Sequence, residues 1–295
     1  MVTLYGDETI EDLQRDGFRL IQKRDGFRFG TDSVLLAALA AQRISGSVPL
    51  GAGRESGRAG PNRPGTPRRS RRPSEPIRVC DLGCGAGAVL VLMAARLPDA
   101  RFLGLEAIPR IAEMAERTLV LNGLTDRASI LAGDLRRSAL SIPEGSVDLV
   151  VSNPPYRAVA ETERIREPVE SLSRDQELRI AREEHLLPLE DLVRHAARLL
   201  KPGAPLALVH HPSRLPDLLE TLRRHRLEPE CLRLVHPLPD RAPTGLFLVA
   251  VRDGRPGGFR VGPPLVILSA PGVPSDEMEC LYGRDRPLSL ADPEE

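Results

Sequence analysis

The sequence predicts an α/β protein: a doubly wound, mostly parallel sheet of seven strands with an antiparallel hairpin at its edge. Three observations carry this expectation. From residue 77 onward, short apolar runs alternate with longer runs of helical periodicity, the pattern of consecutive βαβ units. A glycine turn, Gly83-Cys84-Gly85-Ala86-Gly87, joins the first of these strands to the first of these helices. Asp81, Glu106, Asp134 and Asn153 fall at the ends of four successive strands, where sheets of this kind bind ligands.

Taken in order, residues 1–44 read as a hairpin and a helix packed against the ligand site. Phe18, Leu20 and Ile21, then Phe27 and Phe29, alternate with polar residues around Asp25-Gly26, a hairpin signal. Gly30-Thr31-Asp32-Ser33 precedes Val34-Leu35-Leu36-Ala37-Ala38-Leu39. Thr31 or Asp32 is the expected N-cap, and the helix after it is apolar on most sides, hence buried. Residues 45–76 are rich in Gly, Pro, Ser and Arg and have no apolar periodicity, so a disordered insert is expected. Its arginines favour a solvated tether, with weak attraction to phosphates as the alternative.

The main domain, 77–270, opens with strand Ile77–Leu82, the glycine turn and helix Ala88–Leu97. Strand Phe102–Leu105 is closed by Glu106, and helix Ile108–Leu121 stops at Asn122-Gly123. Strand Ala128–Ala132 leads to Gly133-Asp134, and strand Val147–Ser152 leads to Asn153-Pro154-Pro155-Tyr156. Helix Leu189–Leu200, strand Leu206–His210 and helix Leu215–Arg226 follow, then strands Leu232–His236 and Leu246–Arg252 as the hairpin. The polar, proline-bearing tail, 271–295, is expected to be poorly ordered.

Composition narrows the function. The 295 residues carry 41 basic and 41 acidic side chains, so no global field draws the chain to nucleic acid or membrane. Aromatics are 3% and tryptophan is absent, which makes the core aliphatic. Lysine occurs only at Lys23 and Lys201. Cys80, Cys84, Cys231 and Cys280 match no zinc spacing, and the six histidines are scattered, so no metal is expected. Of the histidines, only His210-His211 falls at a strand end near the expected cleft, where packing is the favoured role. No apolar run approaches the roughly 18 residues that span a membrane, and Met1–Asp16 lacks a signal-peptide core. A soluble, cytoplasmic monomer is the expectation.

The motifs point to a nucleotide and an amine. The spacing is Gly-x-Gly-x-Gly, neither the dinucleotide fingerprint nor a phosphate-cradling loop. The glycines let a ligand approach the backbone. Glu106, about 20 residues after the turn, is placed to accept both ribose hydroxyls. Asp134 or its neighbouring backbone is placed to meet an adenine amino group. Asn153-Pro154-Pro155-Tyr156 is a stiff, extended corner carrying a carboxamide oxygen, exposed carbonyls and an aromatic ring. Such a corner can accept hydrogen bonds from a planar amino group and stack on its plane.

Asp81-Leu82-Gly83-Cys84-Gly85-Ala86-Gly87 resembles motif I of class I S-adenosylmethionine-dependent methyltransferases, whose fold is Rossmann-like, and Asn153-Pro154-Pro155-Tyr156 resembles motif IV of those that methylate amino groups. Phe29-Gly30-Thr31-Asp32-Ser33-Val34-Leu35-Leu36 resembles a narrower group, the bacterial tRNA(Val) adenine-N6 methyltransferases. Arg233-Leu234-Val235-His236-Pro237 and Gly262-Pro263-Pro264-Leu265 are similar to that group as well. The resemblance implies S-adenosylmethionine as methyl donor, held by Asp81, Gly83, Gly85, Gly87, Glu106 and Asp134, with Gly30, Thr31 and Asp32 closing over its methionine end. It implies tRNA as partner, with Asn153, Pro154, Pro155 and Tyr156 acting on the N6 amine of a flipped-out adenine. The alternative is a protein glutamine-N5 methyltransferase acting on release factors or a ribosomal protein, because the same corner suits a planar amide. The basic insert at 45–76 departs from the family pattern.

Overall fold

A computed structural model describes residues 2–25, 29–46, 75–134, 142–160, 172, 173, 175, 176, 180 and 183–283. The N-terminal segment forms a two-stranded hairpin, β1 (Glu8–Asp12) antiparallel to β2 (Arg19–Lys23), followed by α1 (Thr31–Ser45). The partner found for residues 19–23 lies before them, and the hairpin expected across Asp25-Gly26 falls on residues 26–28, which lie outside the described residues. The hairpin is bound to the body by polar contacts of long reach. Ile21 N–H donates to Thr118 Oγ1 at 3.2 Å, and Arg19 exchanges two hydrogen bonds with Asn122.

The alternating units follow. β3 (Arg78–Leu82), α2 (Ala88–Arg96), β4 (Arg101–Glu106), α3 (Pro109–Leu121), β5 (Ala128–Ala132) and β6 (Leu149–Ser152) come first. Next are α4 (Leu189–Leu199), β7 (Pro205–His210), α5 (Leu215–Arg224), β8 (Leu227–His236) and β9 (Gly245–Arg252). Their strands form one sheet in the order β8-β9-β7-β6-β3-β4-β5. β3 to β7 run parallel, and β9 is antiparallel to both neighbours. The expected doubly wound sheet with its antiparallel end is present. Crossover helices bring successive strand ends to one edge, which is why Asp81, Glu106, Gly133 and Asn153 meet.

Alternation along the strands builds two cores. Val79, Val151, Ala207, Val209, Phe247 and Val249 face α1 and α2, whereas Cys80, Leu82, Val150, Leu206, Leu208 and Leu248 face α4 and α5. In α1 every residue from Ser33 to Ala41 is buried, as its all-round apolar pattern requires. The expected side-chain cap is absent there. Gly30 is the N-cap residue and makes no side-chain bond, while Asp32 is engaged elsewhere.

The C-terminal segment corrects a second expectation. Residues 271–283 are built into the fold, and the remainder of the tail lies outside the described residues. β10 (Arg260–Val261) and β11 (Leu265–Val266) pair with the free edge of β8, and β12 (Leu268–Ala270) pairs with β13 (Val273–Pro274). α6 (Asp276–Tyr282), capped by Ser275, buries Met278 and Leu281 in the core shared with α1. Arg233 is the tie: its guanidinium holds both carboxylate oxygens of Glu277, at 2.5 and 2.9 Å, and donates to Pro263 O at 3.0 Å. The two late motifs singled out in the sequence are thus neighbours across β8 and β11. Of the expected insert, residues 47–74 lie outside the described residues.

Candidate functional site

Asp81, the penultimate residue of β3, is 1% exposed. The chain then turns through Gly83, Gly85 and Gly87 with φ of 76°, 54° and 89°, values that a side chain would strain. A Cβ at Gly83 would also stand 2.8 Å from Leu187 Cδ2. The N–H groups of Gly83 and Cys84 both donate to Leu105 O at 2.9 Å, which pins the turn to the end of β4. Gly87 opens α2 and does not itself line the cleft.

Glu106 closes the first wall. Its Oε2 accepts from Gly85 N–H at 3.0 Å and its Oε1 from Ile108 N–H at 2.9 Å. Gly133 N–H donates to Glu106 O at 2.9 Å, so the end of β5 joins the same wall. Gly133 lines the cleft, and Asp134 follows it without lining it.

These residues surround a cleft of about 290 Å³, lined also by Asn153 and Pro155. Sequence reasoning missed much of the rest of the lining. Leu20, Gln22 and Lys23 come from the hairpin, Ile111 and Met114 from α3, and Leu186 and Leu187 from the segment before α4. The apolar spacing of Ile108, Ile111 and Met114 is the signal that was available, because three-residue steps place them on one helix face. Phe29 and Ser33 line the cleft, whereas Gly30, Thr31 and Asp32 do not.

Asp81 is the electrostatic centre of the cleft. Neither of its carboxylate oxygens has a hydrogen-bond partner among the described residues. Burial, reinforced by the charge of Glu106, pushes its carboxyl up to about 8. A buried acid left unpaired is costly unless a ligand completes it. The cleft therefore fits a ligand with a cationic group for Asp81, set beside the apolar flank of α3. Cys80 and Cys84 stand close by as buried thiols that burial pushes up, so they are not poised as nucleophiles.

The Asn153–Tyr156 corner stands where the cleft opens beyond β6. Ser152 Oγ donates to Leu82 O at 2.7 Å and locks the end of β6 to the end of β3. Pro154 is buried behind the corner. Asn153 Nδ2 donates to Ser33 Oγ at 3.3 Å. Tyr156 Oη lies 2.7 Å from Asn153 Oδ1 and 2.9 Å from Asp32 Oδ2. Burial and the Asp32 charge hold the phenol protonated. The Tyr156 ring is tilted by 44° against His210, centroids 5.2 Å apart. His210 Nδ1 accepts from His211 N–H at 2.9 Å, and burial lowers the imidazole to about 4, so His210 is neutral. Among the described residues no group of His, Cys, Asp and Glu could hold a metal, and no helix is long and apolar enough to cross a membrane.

Comparison with known proteins agrees with this geometry. The family model described as the methyltransferase small domain matches residues 71–187. A tRNA1(Val) (adenine(37)-N6)-methyltransferase of Porphyromonas gingivalis is 32% identical over 232 residues, 78% of this chain and 76% of that protein. A release factor glutamine methyltransferase of Deinococcus radiodurans is 34% identical over 161 residues, 52% of each chain. Among solved structures, a predicted O-methyltransferase from Agrobacterium tumefaciens shares the fold with a TM-score of 0.60 at 20% identity, over 86% of this chain and 96% of that one.

Proposed function

Because the chain belongs to the family of tRNA1(Val) (adenine(37)-N6)-methyltransferases, we propose that it methylates the exocyclic N6 amine of an adenine in tRNA, with S-adenosylmethionine as donor. The observation that carries this is the Asn153–Tyr156 corner at the mouth of a cleft whose floor is Asp81 and whose wall is Glu106. The extent of the match favours RNA over a protein amide, since the tRNA methyltransferase aligns over three-quarters of its length and the glutamine methyltransferase over half.

Bound in the cleft, S-adenosylmethionine supplies an electrophilic methyl on a sulfonium. Asp81 would face the cationic methionine end, and the Glu106 carboxylate would accept the ribose hydroxyls. Gly83 and Gly85 let the ligand approach the backbone. The hairpin and α3 cover the cleft and exclude water.

An exocyclic amine is a weak nucleophile, because its lone pair is delocalised into the ring. Asn153 Oδ1 and the Pro154 carbonyl accept its two hydrogens, favour a pyramidal nitrogen and aim the lone pair at the methyl. Pro155 holds this geometry, since proline fixes its own backbone and restricts its neighbour. Tyr156 stacks on the flipped base, a contact worth roughly 1–3 kcal/mol. The sulfonium would supply the methyl group and keep the carbon–sulfur electron pair as the thioether, and the surplus proton would leave the methylated amine afterwards. Catalysis is orientation and electrostatic placement, without a strong base.

The test is transfer of labelled methyl from S-adenosylmethionine to total tRNA and to release-factor peptides, followed by nucleoside and peptide mass analysis. N6-methyladenosine in tRNA is the expected product. Label in a glutamine, with none in tRNA, sinks the assignment of substrate and keeps that of reaction.

A further inference from the structure

Tyr156 has one phenolic hydrogen and two acceptors within reach, Asp32 Oδ2 at 2.9 Å and Asn153 Oδ1 at 2.7 Å. It cannot serve both in full. The choice matters for the reaction, because Asn153 Oδ1 is the atom that must receive the substrate amine. A phenol bonded to that oxygen withdraws part of its acceptor strength and crowds the approach. A phenol bonded to Asp32 leaves it open.

Two features bias the hydrogen toward Asp32. A carboxylate is the stronger acceptor, since charge-assisted hydrogen bonds are roughly twice as strong as neutral ones. Asp32 sits in the first turn of α1, where unpaired backbone N–H groups favour negative charge. The nitrogen end of the Asn153 carboxamide is held by Ser33 Oγ at 3.3 Å, and Ser33 is buried, so the amide cannot swing away from the contest. Asp32 is also absent from the lining of the cofactor cleft, which leaves Tyr156 as its partner in the site.

We infer that Asp32 is a positioning residue for methyl transfer: it takes the phenolic hydrogen of Tyr156 and so keeps the Asn153 carboxamide oxygen available to the substrate amine. This rests on the function proposed above, in which Asn153 receives that amine. No proton or group is transferred among the three residues; only the direction of one O–H bond is set.

The test is a double-mutant cycle on the full chain with tRNA as substrate. Asp32→Asn keeps the shape and removes the charge. It should lower kcat roughly tenfold, the weight of about one hydrogen bond, and leave KM for S-adenosylmethionine within about twofold. Tyr156→Phe deletes the competing hydroxyl, so Asp32→Asn made in that background should change kcat by less than about twofold. Should Asp32→Asn melt early, Asp32→Ser repeats the cycle. An equal loss of kcat in both backgrounds, or a loss that falls on KM for the cofactor, overturns the inference. Full activity of Asp32→Asn beside an active wild type overturns it alone, whereas a wild type inactive on tRNA overturns it together with the proposed function.

Discussion

Arg117 on α3 grips both carboxylate oxygens of Glu8 on the hairpin, at 2.7 and 2.8 Å, and its guanidinium lies 4.4 Å from the Tyr5 ring centroid. The Glu8 side chain is 1% exposed and that of Arg117 13%, so this pair is shielded from solvent, unlike most surface ion pairs. It fastens the hairpin whose Leu20, Gln22 and Lys23 wall the cofactor cleft. Without Arg117 the buried Glu8 carboxylate keeps the Tyr5 N–H at 3.0 Å and Lys23 Nζ at 3.9 Å but loses its bidentate partner, at a cost of about 3 kcal/mol. Arg117→Met should therefore lower Tm and weaken S-adenosylmethionine binding together, and Arg117→Met with Glu8→Leu should recover most of the lost Tm. Thermal melting and cofactor titration check both statements. The Arg117 hydrogen bonds hold the Glu8 carboxyl below its ordinary value of 4.5. The stability that Glu8 contributes is thus complete above 4.5 and is lost as pH falls through the lower folded value.

Asp81 predicts the opposite pH behaviour. Its folded value of about 8 lies above the ordinary 3.8, so the free protein holds a proton there that the unfolded chain releases. That contribution to stability is full below 3.8 and is lost as pH rises through about 8. A cation bound beside Asp81 favours the ionised form, so binding S-adenosylmethionine should expel the proton. Affinity should rise with pH by up to about tenfold per unit until it levels near pH 8, the slope of one linked proton. Calorimetry in two buffers of different ionisation enthalpy measures the release directly. In Asp81→Asn the pH dependence should vanish, and an unchanged slope in that variant would refute the assignment.

The parallel strands were legible in the sequence because each is a short apolar run ended by a polar residue or a glycine, a local signal. The strand ends carried the site with them, so Asp81, Glu106 and Asn153 could be read directly. What escaped local reading depends on distant partners. β1 is the polar run Glu8-Thr9-Ile10-Glu11-Asp12, a weak strand by composition, and it is held by Arg117 from 109 residues away. Asp25-Gly26 gave the stronger local turn signal, so the earlier partner β1 went unread. The 271–283 segment looked like a polar tail, yet Arg233 binds Glu277 across 44 residues and Met278 finds a place beneath α1. Asp32 resembled a helix cap in sequence, and its acceptor role toward Tyr156 spans 124 residues.

Glu106 and Asn153 both line the cleft, and the chemistry assigns them different steps. Glu106 accepts from the Gly85 and Ile108 N–H groups that shape this wall, and in the proposed mechanism its carboxylate receives the ribose hydroxyls. Glu106→Ala removes charge-assisted acceptors that act equally in the ground state and the transition state. It should weaken S-adenosylmethionine binding by about 10- to 100-fold, with kcat at saturating cofactor changed far less. In the proposed mechanism Asn153 acts on the amine, and its demand is greatest as nitrogen becomes pyramidal. Asn153→Ala should leave cofactor affinity within about twofold and lower kcat by about 100- to 1,000-fold, the scale seen when one preorganised polar group is removed from a transition state. Equilibrium cofactor titration combined with single-turnover methylation of tRNA separates the two effects. Near-normal turnover in Asn153→Ala would sink the mechanism even if tRNA proved to be the substrate, because the corner would then hold the base without activating its amine.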